Sequence, residues 1–227
     1  MTIANWILLG LIIVTYGLLV LSYIKGLMIL KKICACLILP LCAALIILGL
    51  TQSLPDSYHI IVITITAFSF ITLSGIFLAF EKIRTLRLAG RITSIANLLC
   101  WCVLYEPIFR IHSVSVWLWI ICSCVYIAVI ITACIFSGKQ KPLFYCLFTA
   151  SFAIVAFLHF CGLIFLCYER TIASILLFTG TTLSLILMAF HFINQAKLNF
   201  KHAGAIRFNL LIASQILIAC SNILMIS

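Results

Sequence analysis

The chain is poor in charge. Of its 227 residues only 8% are Asp, Glu, Lys or Arg, and just four are acidic: Asp56, Glu81, Glu106 and Glu169. A soluble domain carries roughly a quarter charged residues. Here the hydrophobic fraction is 66% and the mean hydropathy is +1.37. Water cannot be the solvent of such a chain, so the bilayer must be. No Asp, Glu, Lys or Arg falls deep within an apolar run. That excludes the groups on which proton-coupled transport, intramembrane carboxylate catalysis and cation relays ordinarily depend. Long gaps between the apolar runs are also missing, which leaves no room for an extramembrane domain, a linker or a low-complexity segment. Phosphate-loop, zinc-protease and nucleophile-elbow motifs are absent as well.

What remains is a succession of eight apolar spans, at about 3–24, 33–50, 58–80, 91–109, 113–137, 143–167, 171–193 and 206–226. Each approaches or exceeds the roughly 20 residues that cross about 30 Å of hydrocarbon at about 1.5 Å per residue. The pattern predicts an all-α polytopic helix bundle, a single integral-membrane domain over 1–227. Pro40 interrupts the second span and Glu106-Pro107 ends the fourth. Proline inside a span is tolerated where neighbouring helices satisfy the freed carbonyl. No Lys or Arg precedes the first apolar run, which is too long for a signal-peptide core, so it reads as a true first span.

Most of the charge that is present is basic. Fourteen Lys and Arg against four acids give a net +10. In a soluble protein this would raise nucleic acid as a partner, but here the cations flank membrane spans and nucleic acid is not expected. The first, third, fifth and seventh gaps hold twelve of the fourteen, and the three even gaps hold two. The third gap is the heaviest, with Lys82, Arg84, Arg87 and Arg91. This alternation predicts odd gaps in the cytoplasm and both termini outside, as in the inner (plasma) membrane of a bacterium. Such flanks attract anionic headgroups, so membrane lipids are expected partners, and a membrane-protein partner is a second. Trp6, Tyr58, Tyr105, Trp117, Trp119 and Tyr168 fall near the external ends, as an interfacial aromatic belt would.

The twelve cysteines include three C-x-C pairs, at 34/36, 100/102 and 122/124. Within a helix, residues i and i+2 point to nearly opposite faces, so these pairs cannot chelate one metal. They read as small apolar residues, with palmitoylation of Cys34 or Cys36 beside Lys31 and Lys32 as the alternative. His159 is the best-buried ionisable group, roughly 24 Å from the cytoplasmic end of its span. His191 lies about 3 Å from the same end. The two are too far apart in depth to share a metal or a haem, so no cofactor and no metal is expected. His159 reads either as a neutral hydrogen-bonded imidazole or as a candidate catalytic residue.

A second constellation is neutral. Thr66, Ser69 and Thr72 recur at three-residue spacing, followed by Ser74 and Gly75. Thr72, Asn97, Ser184 and Gln215 all fall about 9–14 Å from the cytoplasmic side. Polar groups at one level allow close helix contact and cross-helix hydrogen bonds. Alternatively they line a pocket for a lipid headgroup or small substrate.

Several stretches resemble the YhhN family of lysoplasmalogenase-like membrane proteins, which are compact eight-span proteins with short loops. The similar segments are Lys31 to Pro40, Leu73 to Leu78, Gly180 to Ala189, and the closing helix Leu211 to Ala219 with its Ser214-Gln215. The resemblance implies a lipid-active hydrolase that cleaves the vinyl-ether bond of lysoplasmalogens. Where that family places intramembrane Asp residues, this chain has Ile76 and Leu187-Met188. Neither Ile nor Met can polarise water. Kinship would therefore make the protein a non-catalytic relative, or one that uses His159. The readings drawn from the residues themselves are a small carrier, an immunity-type protein or a subunit of a membrane complex.

Overall fold

The computed structural model describes residues 3–53, 58–79, 83–107, 114–136, 142–196 and 203–226. Among them are eight α-helices: α1 (Ile3–Lys25), α2 (Met28–Ser53), α3 (Tyr58–Ala79), α4 (Arg84–Tyr105), α5 (Val116–Phe136), α6 (Pro142–Tyr168), α7 (Ile172–Ala196) and α8 (Ala203–Ile226). All eight are long and apolar enough to cross a membrane. The described residues form no strand, as the hydropathy pattern predicts.

The helices extend beyond the apolar runs. α2 begins at Met28 and passes unbroken through Pro40 to Ser53, where the sequence predicted a span of 33–50 interrupted at the proline. α4 begins at Arg84 and ends at Tyr105, not at 91 and 109. Lys31, Lys32, Arg87 and Arg91 therefore lie on helices and not in loops. Hydropathy marks only the part of a helix that can sit in hydrocarbon. The backbone hydrogen bonds continue past it, and Lys and Arg stems reach back to the interface. The fourth helix stops ahead of Glu106-Pro107, because the proline disfavours helical geometry in the residue before it.

Packing divides the chain into two compact units. One comprises 1–101 with 226–227, and the other 102–225. In the first, α1 turns directly into α2. Gly26 adopts the left-handed conformation (φ 69°), and the Leu27 amide donates to the Ser22 carbonyl at 3.0 Å. This is the glycine-terminated helix stop that satisfies an otherwise orphaned carbonyl. The Leu27 carbonyl then accepts from Lys31 N and starts α2. Between α3 and α4, Ser74 Oγ donates to the Gly90 carbonyl at 2.7 Å, and Asn97 Nδ2 donates to the Ala67 carbonyl at 2.9 Å. The partners are seven residues apart on both helices, as an antiparallel pair in constant register requires. Phe68 meets Trp101 edge-on, with ring centroids 6.0 Å apart.

In the second unit α6 is the most enclosed helix, with half of its span buried. It approaches α7 at Gly162, where an added Cβ would stand 3.0 Å from Phe178 Cα. α7 approaches α8 at Gly180, where an added Cβ would meet Ile218 Cγ1 at 2.9 Å and Ile218 N at 3.0 Å. The buried stripes of these two helices are rich in small and polar residues, with Ala173, Ser174, Gly180, Thr181 and Ser184 beside Leu177 on α7, and Ser214, Gln215, Ala219, Ser221 and Asn222 beside Ile212 and Ile218 on α8. In lipid there is no hydrophobic force between helices, so the close backbone approach at Gly180 holds α7 and α8 together, while the hydroxyls of Thr181, Ser184 and Ser214 bond carbonyls of their own helices. α5 is peripheral and buries none of its span. Trp119 packs on Phe160 of α6 with centroids 4.5 Å apart. Lower down, Tyr126 packs against the cluster of Phe148, Phe152 and Ala156.

Candidate functional site

His159 lies on α6 and is half-buried. Its Nδ1 is 2.6 Å from the Tyr126 hydroxyl of α5. The two rings are edge-on, with centroids 5.9 Å apart, and Phe178 of α7 tilts against the imidazole at 5.0 Å. If the imidazole proton sits on Nε2, Tyr126 donates to Nδ1. The opposite tautomer reverses the bond. Either way the sequence-predicted histidine joins the peripheral helix to the enclosed one. The pair carries a proton donor and acceptor in one contact, which is the minimum for acid–base work. No carboxylate orients it from within a span, because none of the eight helices contains an Asp or Glu.

The four residues predicted at one polar level divide between the two units. Thr72 and Asn97 lie in the first and Ser184 and Gln215 in the second. Asn97 is fully buried and ties α4 to α3 through Ala67. Thr72 is half-buried. The three-residue hydroxyl row to which it belongs does not mark the buried face of α3. Thr66 and Ser69 turn back to their own helix, on the Val62 and Ile65 carbonyls. The buried face carries Thr64, Ala67, Phe68, Ile71 and Ser74 instead. Three-residue steps fall short of a 3.6-residue turn and drift off any one face. Ser184 is buried, and its hydroxyl donates to the Gly180 carbonyl of its own helix at 3.2 Å. Gln215 is also buried.

Tyr105 corrects the sequence reading. Its depth fits the interfacial belt, yet it is wholly buried. Its hydroxyl donates to the Ile218 carbonyl at 2.6 Å and is 2.6 Å from Ser221 Oγ. Its single proton is used on the carbonyl, so Ser221 must be the donor to the phenol oxygen. A signal was present: Asn97, Trp101 and Tyr105 recur at four-residue steps on one face of α4, and the asparagine marks that face as internal. By contrast Trp6, Tyr58, Trp117 and Tyr168 are exposed, as a belt requires. Sequence reasoning missed Tyr126, whose immediate neighbours Val125 and Ile127 are apolar, and Ser221, although the adjacent Asn222 was a polar signal beside it.

Two buried polar groups have no hydrogen-bond partner among the described residues, the Thr64 hydroxyl and the whole Asn222 amide. None of the twelve cysteines forms a disulfide. Cys34 is buried and Cys36 half-buried, as opposite faces require. No three His, Cys, Asp or Glu side chains come together to hold a metal among the described residues. His112 and His202 lie outside those residues, as does the side chain of His191.

The fold and these helix contacts define a multi-pass integral membrane protein. No protein-family model matches the chain, and no curated protein and no solved structure is significantly similar to it.

Proposed function

We propose that the chain is a non-catalytic membrane protein that acts by association, as a subunit of a membrane complex. One observation carries this reading. No helix holds an acid, and polar groups such as Asn97, Ser74 and Tyr105 are spent on tying helices together. α1 supports the same reading. Gly10 and Gly17 are exposed and meet nothing within 4 Å of an added Cβ. Seven residues apart, they share one helix face, and small residues there suit a close-packed partner helix. The orientation that goes with it keeps the basic gaps in the cytoplasm and both termini outside, in a bacterial inner membrane. Purification in mild detergent with in-membrane crosslinking tests it. A strictly monomeric particle that captures no neighbour from its native membrane would refute the subunit reading.

A second reading is favoured by the Tyr126–His159 contact. In a relative of the YhhN proteins, this pair would supply acid–base catalysis of vinyl-ether hydrolysis in place of the missing carboxylates. Purified protein incubated with lysoplasmalogen would then release aldehyde. Turnover no higher than that of His159→Ala sinks this alternative.

A further inference from the structure

We propose that the α1–α2 hairpin is a binding site for one anionic phospholipid, with its phosphate at Lys25, Lys31 and Lys32 and an acyl chain along α2. The tight stop at Gly26 brings the end of α1 and the start of α2 to the same membrane surface. Three cations then fall within eight residues, and the first acid in the chain is Asp56. That end of the hairpin is therefore strongly positive at headgroup depth, where each cation attracts anionic lipid.

Two features set this cluster apart from a loose basic flank. Lys31 is held in place, its Nζ 4.2 Å above the centre of the Tyr23 ring. A cation fixed over an aromatic face still presents its outer N–H groups to a phosphate oxygen. The second feature is the apolar surface beside Lys32, on a different face of α2 from Lys31. Ile29, Ile33 and Leu37 are 77%, 51% and 49% exposed and follow one another at four-residue steps, so they form one stripe about 12 Å long. Lys32 sits between Ile29 and Ile33 in sequence and is itself exposed. A phosphate at the lysine end leaves its acyl chain to run down this stripe, so head and tail are recognised by adjoining parts of one helix. A free phosphate would use only the head.

The test is native mass spectrometry of the purified full chain, comparing retention of phosphatidylglycerol and phosphatidylcholine. The expected result is selective retention of one phosphatidylglycerol. K31A/K32A should weaken it roughly thirtyfold, from about one surface-cation contribution per lysine. K31R/K32R, which keeps the charge, should hold the lipid. Tyr23→Leu removes no charge and should still weaken retention about two- to fivefold by freeing Lys31. K139A/K141A removes the same charge from another basic gap and should leave retention intact. Equal retention of the two lipids, equal loss in the two double-alanine variants, full retention by Tyr23→Leu, or displacement by soluble glycerol phosphate would each overturn the proposal.

Discussion

Gly180→Ala provides a direct measure of how tightly α7 and α8 are joined. The added methyl would stand 2.9 Å from Ile218 Cγ1, 3.0 Å from Ile218 N and 3.0 Å from Leu217 Cβ. One of these is backbone, and Ile218 is fully buried, so no side chain can swing clear without moving others. The helices must part by a few tenths of an ångström, and overpacking of this kind costs about 1–3 kcal/mol. Replacing a helical glycine by alanine returns about 1 kcal/mol of helix propensity. The two effects oppose each other, so a suitable reference variant is needed. Gly75→Ala supplies one, because nothing lies within 4 Å of its new methyl and it gains propensity alone. The difference between the variants isolates the packing cost, and Gly180→Ala should be the less stable by about 1–3 kcal/mol. In a chain of this size that is about 2–4 °C in melting temperature per kcal/mol. Thermal unfolding of both variants in the same detergent, followed by circular dichroism, reads the difference. Equal midpoints, or a higher one for Gly180→Ala, would refute the close approach of α7 to α8.

Three further outcomes are expected. Tyr105→Phe removes both hydroxyl contacts and should cost about 1–2 kcal/mol, read as a lowered melting temperature that Ser221→Ala does not lower much further. Asn222→Leu should stabilise the fold by about 1 kcal/mol or more, since it replaces a buried amide that has no partner among the described residues with an apolar group of similar size. A destabilised variant in the same unfolding assay would show that the amide is satisfied. A reporter inserted between α3 and α4, ahead of Arg84, should read cytoplasmic, and an external reading would reverse the proposed orientation.

The sequence made the number and approximate limits of the helices readable, because a run of apolar residues long enough to span hydrocarbon has few other fates. It also gave depth along each helix. What it concealed was direction around the helix. Tyr105 has the depth of a belt residue but faces inward, and Thr66 and Ser69 have the depth of a site but bond their own backbone. In a soluble protein, apolar periodicity reveals the buried face. In this chain both faces of every helix are apolar, so that signal is weak. It survives only where polar or small residues repeat at helical spacing, as in Ser174, Thr181 and Ser184 on α7 or Ser214, Ser221 and Asn222 on α8. Those stripes coincide with the buried faces. On these two helices the polar residues mark the inner face, although Leu177 and Ile218 are buried beside them.

That inversion bears on what the protein can do. A polar group used to hold two helices is not free to bind a ligand unless the helices part. Asn97, Ser74 and Tyr105 each bond a backbone carbonyl on a neighbouring helix, so recruiting any of them to a substrate would loosen the packing it maintains. The Tyr126–His159 contact differs because one of its two helices, α5, buries none of its span. Separating that contact disturbs the seating of a peripheral helix on α6 and α7. Of the polar contacts between helices described above, it is the one whose opening costs the enclosed core least. The subunit reading and the hydrolase reading therefore place different demands on the same helix: α5 stays seated on α6 in the first and must move aside in the second.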